Sequence, residues 1–304
     1  MLNQLKLPEY ADVVKIPYDE EDSECLEGLR VDGPWHPDIG KYIERYHIKA
    51  LYLNTSTGWS EHDYSFLKDF TDLVGLQILD GRMRNVAAIE SLDKLKYLDI
   101  AYFPDEYVDF RKLSSLKKCS LGYPRNIDTL FDLETLQSLW LDELKLKDYS
   151  RLKNLTDLRE LYIGNSPIPT LDVLSEMLAL ERLSLVNCRK ISDFSPISLF
   201  KRLKYLDLRG CSKLESIDFV SQLKKLEHLV LGHSGSIRSI KPLSNCLSLK
   251  IAALPNIIDG DLSSLEDLSN LNTLFIQNRK HYSHKCVKKY WGDPNMPEPL
   301  ICKK

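Results

Sequence analysis

The side chains with the most obvious metal-ligand chemistry lie close together near the C-terminal end, His281, His284 and Cys286 in the run HYSHKC. Two imidazoles and a thiol at this spacing match part of a tetrahedral zinc set. No second ligand pair accompanies them, so the sequence predicts a polar capping segment with no metal and no cofactor. Cys188 and Cys211 form a second notable pair, because they fall at equivalent points of an internal repeat. Such cysteines become stacked neighbours about one strand spacing (~4.8 Å) apart, close enough for redox chemistry. The plainer expectation is two thiols at buried turns of a reduced protein. The chain has no Gly-rich phosphate loop, no G-x-S-x-G elbow and no H-E-x-x-H helix. Its non-repeat ends are short for a catalytic fold and lack a Cys–His or Ser–His arrangement. A catalytic role is therefore not expected.

What positions these residues is a repeat. The frame L-x-x-L-x-L is seen in Leu203–Leu206–Leu208, Leu226–Leu229–Leu231, Leu180–Leu183–Leu185 and Leu158–Leu161–Ile163. Sliding it both ways gives eleven L-x-L cores, from Leu51/Leu53 to Leu274/Ile276, at intervals of 20 to 25 residues. In each core the two apolar side chains point to one face of a short strand and the intervening residue to the other. A second apolar set, Ile191, Phe194 and Ile197 in one repeat and Ile237, Ile240 and Leu243 in another, returns to the same core. One coil cannot bury its own apolar faces, so neighbours stack to do it.

By this frame and short period, residues 48–278 resemble the 22-residue class of leucine-rich repeats, which includes the internalins and regulators of a type-1 protein phosphatase. The resemblance implies an α/β solenoid, a curved horseshoe of about eleven repeats. One parallel β-sheet would line its concave face, with short helical or irregular segments on the convex side. It also implies a bacterial, cytoplasmic protein. Few repeats keep the Asn usual three residues after the second leucine; Cys188, Cys211, Ser166, Ser234, Leu144 and Phe103 stand there instead. Irregular turns are the expected consequence.

Residues 1–47 lack the frame and read as an N-terminal cap, and residues 279–304 as a C-terminal cap and tail. The first cap holds an alternating stretch, Val13–Tyr18, an acidic run, Asp19–Glu24, and a short helix-like segment, Tyr42–Tyr46. Over the whole chain, 43% of the 304 residues are apolar and 28% charged, with a net charge of -3. That balance predicts a folded protein and argues against a nucleic-acid binder. No apolar run approaches the ~20 residues of a membrane span, and the N-terminal stretch does not read as a secretion signal. The seven cysteines form no CxxC pair, which fits a reducing, cytoplasmic compartment.

The outward-facing strand positions are the informative surface. They combine aromatics (Tyr97, Trp140, Tyr162, Tyr205, Phe275) with carboxylates (Asp99, Asp142, Glu160, Asp207) and arginines (Arg182, Arg209). Gly122, Gly164 and Gly232 are expected to open space beside them. Trp, Tyr and Arg dominate protein-interface hot spots. The expectation is a non-catalytic protein, monomeric when free, that clamps another protein on this face. Its sharper form is an immunity protein that neutralises a toxin with a basic surface. The alternative is a regulatory or scaffolding subunit for a phosphatase or another signalling enzyme.

Overall fold

The computed structural model describes residues 6–17, 25–286 and 301–303. The acidic run Asp19–Glu24 and most of the tail lie outside the described residues. The chain divides into two compact units, Met1–Lys147 and Asp148–Lys304.

In the first unit β1 (Ala11–Pro17) pairs antiparallel with β2 (Cys25–Val31). From there the ladder is parallel and follows chain order through β3 (Ala50–Asn54), β4 (Gly75–Leu79), β5 (Tyr97–Ile100), β6 (Lys118–Gly122) and β7 (Ser138–Asp142). The register places like on like: Leu51 opposite Leu76, Leu76 opposite Leu98, Leu98 opposite Cys119 and Cys119 opposite Leu139. The second unit repeats the pattern in β8 (Glu160–Gly164), β9 (Arg182–Val186), β10 (Tyr205–Asp207), β11 (His228–Val230), β12 (Ile251–Ala253) and β13 (Thr273–Phe275). Leu161, Leu183, Leu206, Leu229, Ala252 and Leu274 form its corresponding row. Every L-x-L core found in the sequence thus lies on a strand or at its end.

The second apolar set closes the core as expected. Ile191, Ile197, Ile237, Ile240 and Leu243 are fully buried and Phe194 nearly so. The return arms are 3-10 turns, for example Ser195–Leu199 and Lys241–Asn245. A period near 22 leaves too few residues for an α-helix beside the strand and its turns. Short polar side chains start several of these arms. Asp148, Asp193 and Asp261 accept the backbone N–H two residues on, at 2.8, 2.8 and 3.0 Å, as helix N-caps do.

The one α-helix among the described residues is α1 (Pro37–Tyr46), longer than the helix-like stretch seen in the sequence. It begins with Pro at its first position, where the missing N–H costs nothing, and buries Ile39 and Ile43. Trp35 stacks on Phe66 with centroids 4.3 Å apart and meets Phe70 and Trp59 edge-on. β2 extends the parallel ladder one strand before Leu51. Its pattern, Leu29 and Val31 buried with Arg30 between, is a degenerate L-x-L. No helix of the described residues is long and apolar enough to cross a membrane.

At the far end of the second unit β14 (His284–Cys286) pairs antiparallel with β15 (Ile301–Lys303). The HYSHKC run is built into this end. The buried Tyr282 hydroxyl accepts the Ile257 N–H at 3.0 Å, and Ser283 Oγ accepts that of Leu262 at 2.9 Å. His281 contacts the Ile257 carbonyl through Nε2, and buried His284 pairs with Glu266. Replacing Tyr282 by Phe leaves the Ile257 N–H buried without its acceptor. The expected loss is about 1–3 kcal/mol in urea unfolding, and an unchanged midpoint would show that the end is not held this way.

Candidate protein-binding face

The strand face of the first unit is set by register. Gln77, Asp99, Ser120 and Trp140 are aligned across β4 to β7. Trp140 is 53% exposed. Tyr97 and Asp142 are half-buried. Asp99 does not stand free in solvent. Gln77 Nε2 donates to it at 2.8 Å and the Tyr97 hydroxyl at 3.3 Å, and Ser120 also donates. Burial pushes the Asp99 carboxyl above the usual range, against the pull of these donors, and pushes the Tyr97 phenol up as well.

Just beyond the strand ends, Tyr102 and Tyr123 stack with centroids 5.7 Å apart and an interplanar angle of 13°, each about half exposed. Tyr123 has φ +55. The same point of the repeat, two residues after the second leucine of L-x-L, has positive φ at Glu143 in this unit. In the second unit it does so at Asn165, Asn187, Gly210 and His233. Asn and Gly tolerate this conformation; Tyr and Glu do so at a cost of about 1–2 kcal/mol. Strand parity does not reach Tyr123 and Glu143, which lie just beyond the ends of β6 and β7. The Asn–Asn–Gly column in adjacent repeats was the signal that marks the position as left-handed.

The glycines differ from expectation. A Cβ on Gly122 would come within 2.0 Å of the Ala101 carbonyl oxygen, so that glycine is required by close backbone approach. Gly164 is buried. Gly232 has open space around its Cβ position.

In the second unit the face is internally paired. Glu160 lies 3.8 Å from Arg182, whose guanidinium sits 4.5 Å over the Tyr205 ring. Tyr205 in turn meets His228 at 5.8 Å. Tyr162 is half-buried, and Phe275 is 41% exposed. Asp207 corrects the expectation of an outward charge. It is 1% exposed, because its carboxylate caps the Arg209 N–H at 3.0 Å and takes a fork from the Arg209 side chain at 2.6–3.0 Å. Arg209 is the member of that pair which reaches solvent. Asn187 donates to Asn165 at 2.9 Å, joining neighbouring turns.

The stacked cysteines are free thiols. Cys188 Sγ donates to Ile163 O at 3.3 Å and Cys211 Sγ to Leu185 O at 3.1 Å. They thus satisfy turn carbonyls, in the place of the usual Asn. Burial pushes the Cys211 thiol up to about 11, which suits a structural rather than a nucleophilic sulfur. Among the described residues no group of three His, Cys, Asp or Glu side chains is arranged to hold a metal ion.

A family model described as "At1g61320/AtMIF1, LRR domain" matches residues 113–287, more than half of the chain. The chain belongs to this leucine-rich-repeat family. Its fold is similar to that of an internalin (InlF) of Listeria monocytogenes, with a TM-score of 0.55 and 23% identity over 69% of either chain. It is also similar to the leucine-rich-repeat protein LIC12759 of Leptospira interrogans, with a TM-score of 0.60, 19% identity, and 81% of this chain and 64% of that one covered. The Arabidopsis receptor kinase HAESA, solved with the peptide hormone IDA and the co-receptor SERK1, matches with a TM-score of 0.59 and 20% identity, over 84% of this chain and 46% of that one. At these identities the likeness is one of fold. The chain has no significant match among curated proteins.

Two outcomes follow from this geometry. Tyr123→Asn relieves the left-handed strain and should stabilise the protein by about 1 kcal/mol; a lower urea midpoint would mean that ring stacking outweighs the strain. Asp99 has a folded-state pKa above its ordinary value, so its ionised form disfavours the folded state and this deficit disappears as pH falls through that pKa. Asp99→Asn should therefore stabilise at neutral pH, with the gain shrinking in acid. A gain that is constant with pH would contradict the assignment.

Proposed function

We propose that this leucine-rich-repeat protein is a non-catalytic binding protein that recognises another protein through its strand faces. The observation that carries the reading is Trp140. It is an indole held on a rigid strand, 53% exposed, in the unit that also presents the stacked, half-exposed Tyr102 and Tyr123. Large exposed aromatics on rigid elements are the usual hot spots of protein interfaces, whereas scattered apolar residues need no such account. Tyr123 adds weight, since a strained backbone is retained most readily where its side chain has a use.

In the second unit the same role falls to Tyr162, Arg182, Tyr205, Arg209 and Phe275. Tyr97 in the first unit and Asp207 in the second act from beneath, fixing their neighbours. Asp142 and Glu160 are the carboxylates closest to the expected role of meeting a basic partner. The narrower form of the reading is an immunity protein that occludes a toxin's basic surface. It draws on these two carboxylates and on the acidic run Asp19–Glu24. A monomer working in a reducing, cytoplasmic compartment accords with the buried free thiols. A regulatory subunit of a phosphatase would use the same face, and no feature of the face favours it.

The test is retention of a stoichiometric partner from the native cells by tagged protein, beside the variant Trp140→Ala/Tyr162→Ala/Tyr205→Ala, its fold checked by circular dichroism. Loss of the partner by the folded variant is the expected result, and a basic toxin as that partner would support the narrower form. Undiminished retention would remove the strand faces as the binding surface.

A further inference from the structure

On the strand face of the first unit, Asp99 of β5, Ser120 of β6 and Trp140 of β7 stand in one register row. Two residues on, Gly122 pairs with Asp142, and the Ala101 backbone presses against Gly122. Between these neighbours the middle strand carries only the Ser120 hydroxymethyl group and the Gly122 hydrogen, while its Lys118, in register with Tyr97 and Ser138, stands on the same face at the near end. The result is a shallow trough, with the Asp99 carboxylate on one wall and the exposed Trp140 indole on the other. The walls are two strand spacings apart, ~9–10 Å. That width admits one planar group in contact on both sides.

Charge adds a second constraint. Asp99 is held by Gln77, Tyr97 and Ser120, all neutral donors, and among the described residues no cation contacts it. Contrast Asp207, whose charge Arg209 answers directly. A desolvated carboxylate without a counter-charge gains most from a cation brought to it, because its surroundings screen poorly. A cation beside an exposed Trp face gains a further electrostatic attraction to the ring. Between the two cationic side chains, arginine fits better than lysine. Its guanidinium is flat, sheds water more readily, stacks on aromatic rings and donates through several N–H groups.

We propose that this trough receives an arginine side chain of the protein partner, stacked on Trp140 with its N–H groups donating to the Asp99 carboxylate. The inference rests on the binding-face reading and specifies its chemistry in the first unit. Asp99 thus has two roles in sequence. In the free protein it costs stability, and in the complex its charge is matched.

The experiment is an NMR titration of the full chain, labelled at backbone and indole nitrogens and at aspartate carboxyl carbons. The probes are acetyl-Gly-Arg-Gly-amide and its lysine and norleucine counterparts. The Arg peptide should shift the Trp140 indole and Asp99 carboxyl signals, more strongly than the Lys peptide, and the norleucine peptide should leave both unmoved. Asp99→Asn, which keeps the side-chain shape, should weaken the Arg peptide about tenfold. Equal binding of the Arg and norleucine peptides, no response at Trp140, or undiminished binding to the Asn variant would each overturn the proposal. The two readings separate on the natural partner. If that partner requires Trp140 but tolerates Asp99→Asn, the binding face stands and the arginine site falls. If it ignores Trp140, the face itself is wrong.

Discussion

The stacking of leucine on leucine between successive coils is the contact on which every other feature depends. In each unit the inward residues of the L-x-L cores lie opposite their counterparts in the next strand, and nearly all are fully buried. Because a single coil has no core of its own, each repeat is stable only through its neighbours. Register is then fixed tightly, since a slip of one residue would turn every leucine outward. The outward positions inherit that precision. Trp140, Ser120 and Asp99 are aligned because Leu139, Cys119 and Leu98 are aligned beneath them.

The same geometry constrains what the outer face can hold. Side chains in one row are about 5 Å from their neighbours, so charges placed there meet each other before they meet a partner. Glu160 and Arg182, and Arg182 and Tyr205, are such lateral pairs. Asp207 and Arg209 make the pairing within one turn. The face is therefore mostly self-neutralised, and its aromatics stand out by contrast. Asp99, with neutral donors only, departs from that pattern.

Much of this was legible in the sequence. Leucine period fixes strand positions, inward direction and the apolar return arms, because burial leaves few alternatives for a repeated apolar residue. Trp140 and Phe275 could be placed on the outer face by parity alone. What parity does not reveal is whether an outward side chain stays outward. Asp207 turned back to cap its own turn, and Asp99 sank among Gln77, Tyr97 and Ser120. Both depend on neighbours 22 residues away or on local turn geometry. The left-handed position occupied by Tyr123 was visible only through the Asn and Gly residues at equivalent points. The role of Gly122 followed from the approach of Ala101, which no period encodes. Likewise the contacts of His281 with Ile257 and of His284 with Glu266 in the closing coil could not be read from the HYSHKC spacing.

On the proposed function, the aromatic strand face, rather than the return arms, meets the partner. Hydroxyl-radical footprinting of the free protein and of its isolated complex tests this directly, because the reactive side chains lie on both surfaces. Tyr102, Tyr123 and Trp140 mark the strand face and its rim, and Tyr107, 60% exposed at the start of a return arm, serves as the internal reference. Oxidation of the first three should fall in the complex while that of Tyr107 stays unchanged. Protection of Tyr107 with Trp140 still fully reactive would contradict the claim.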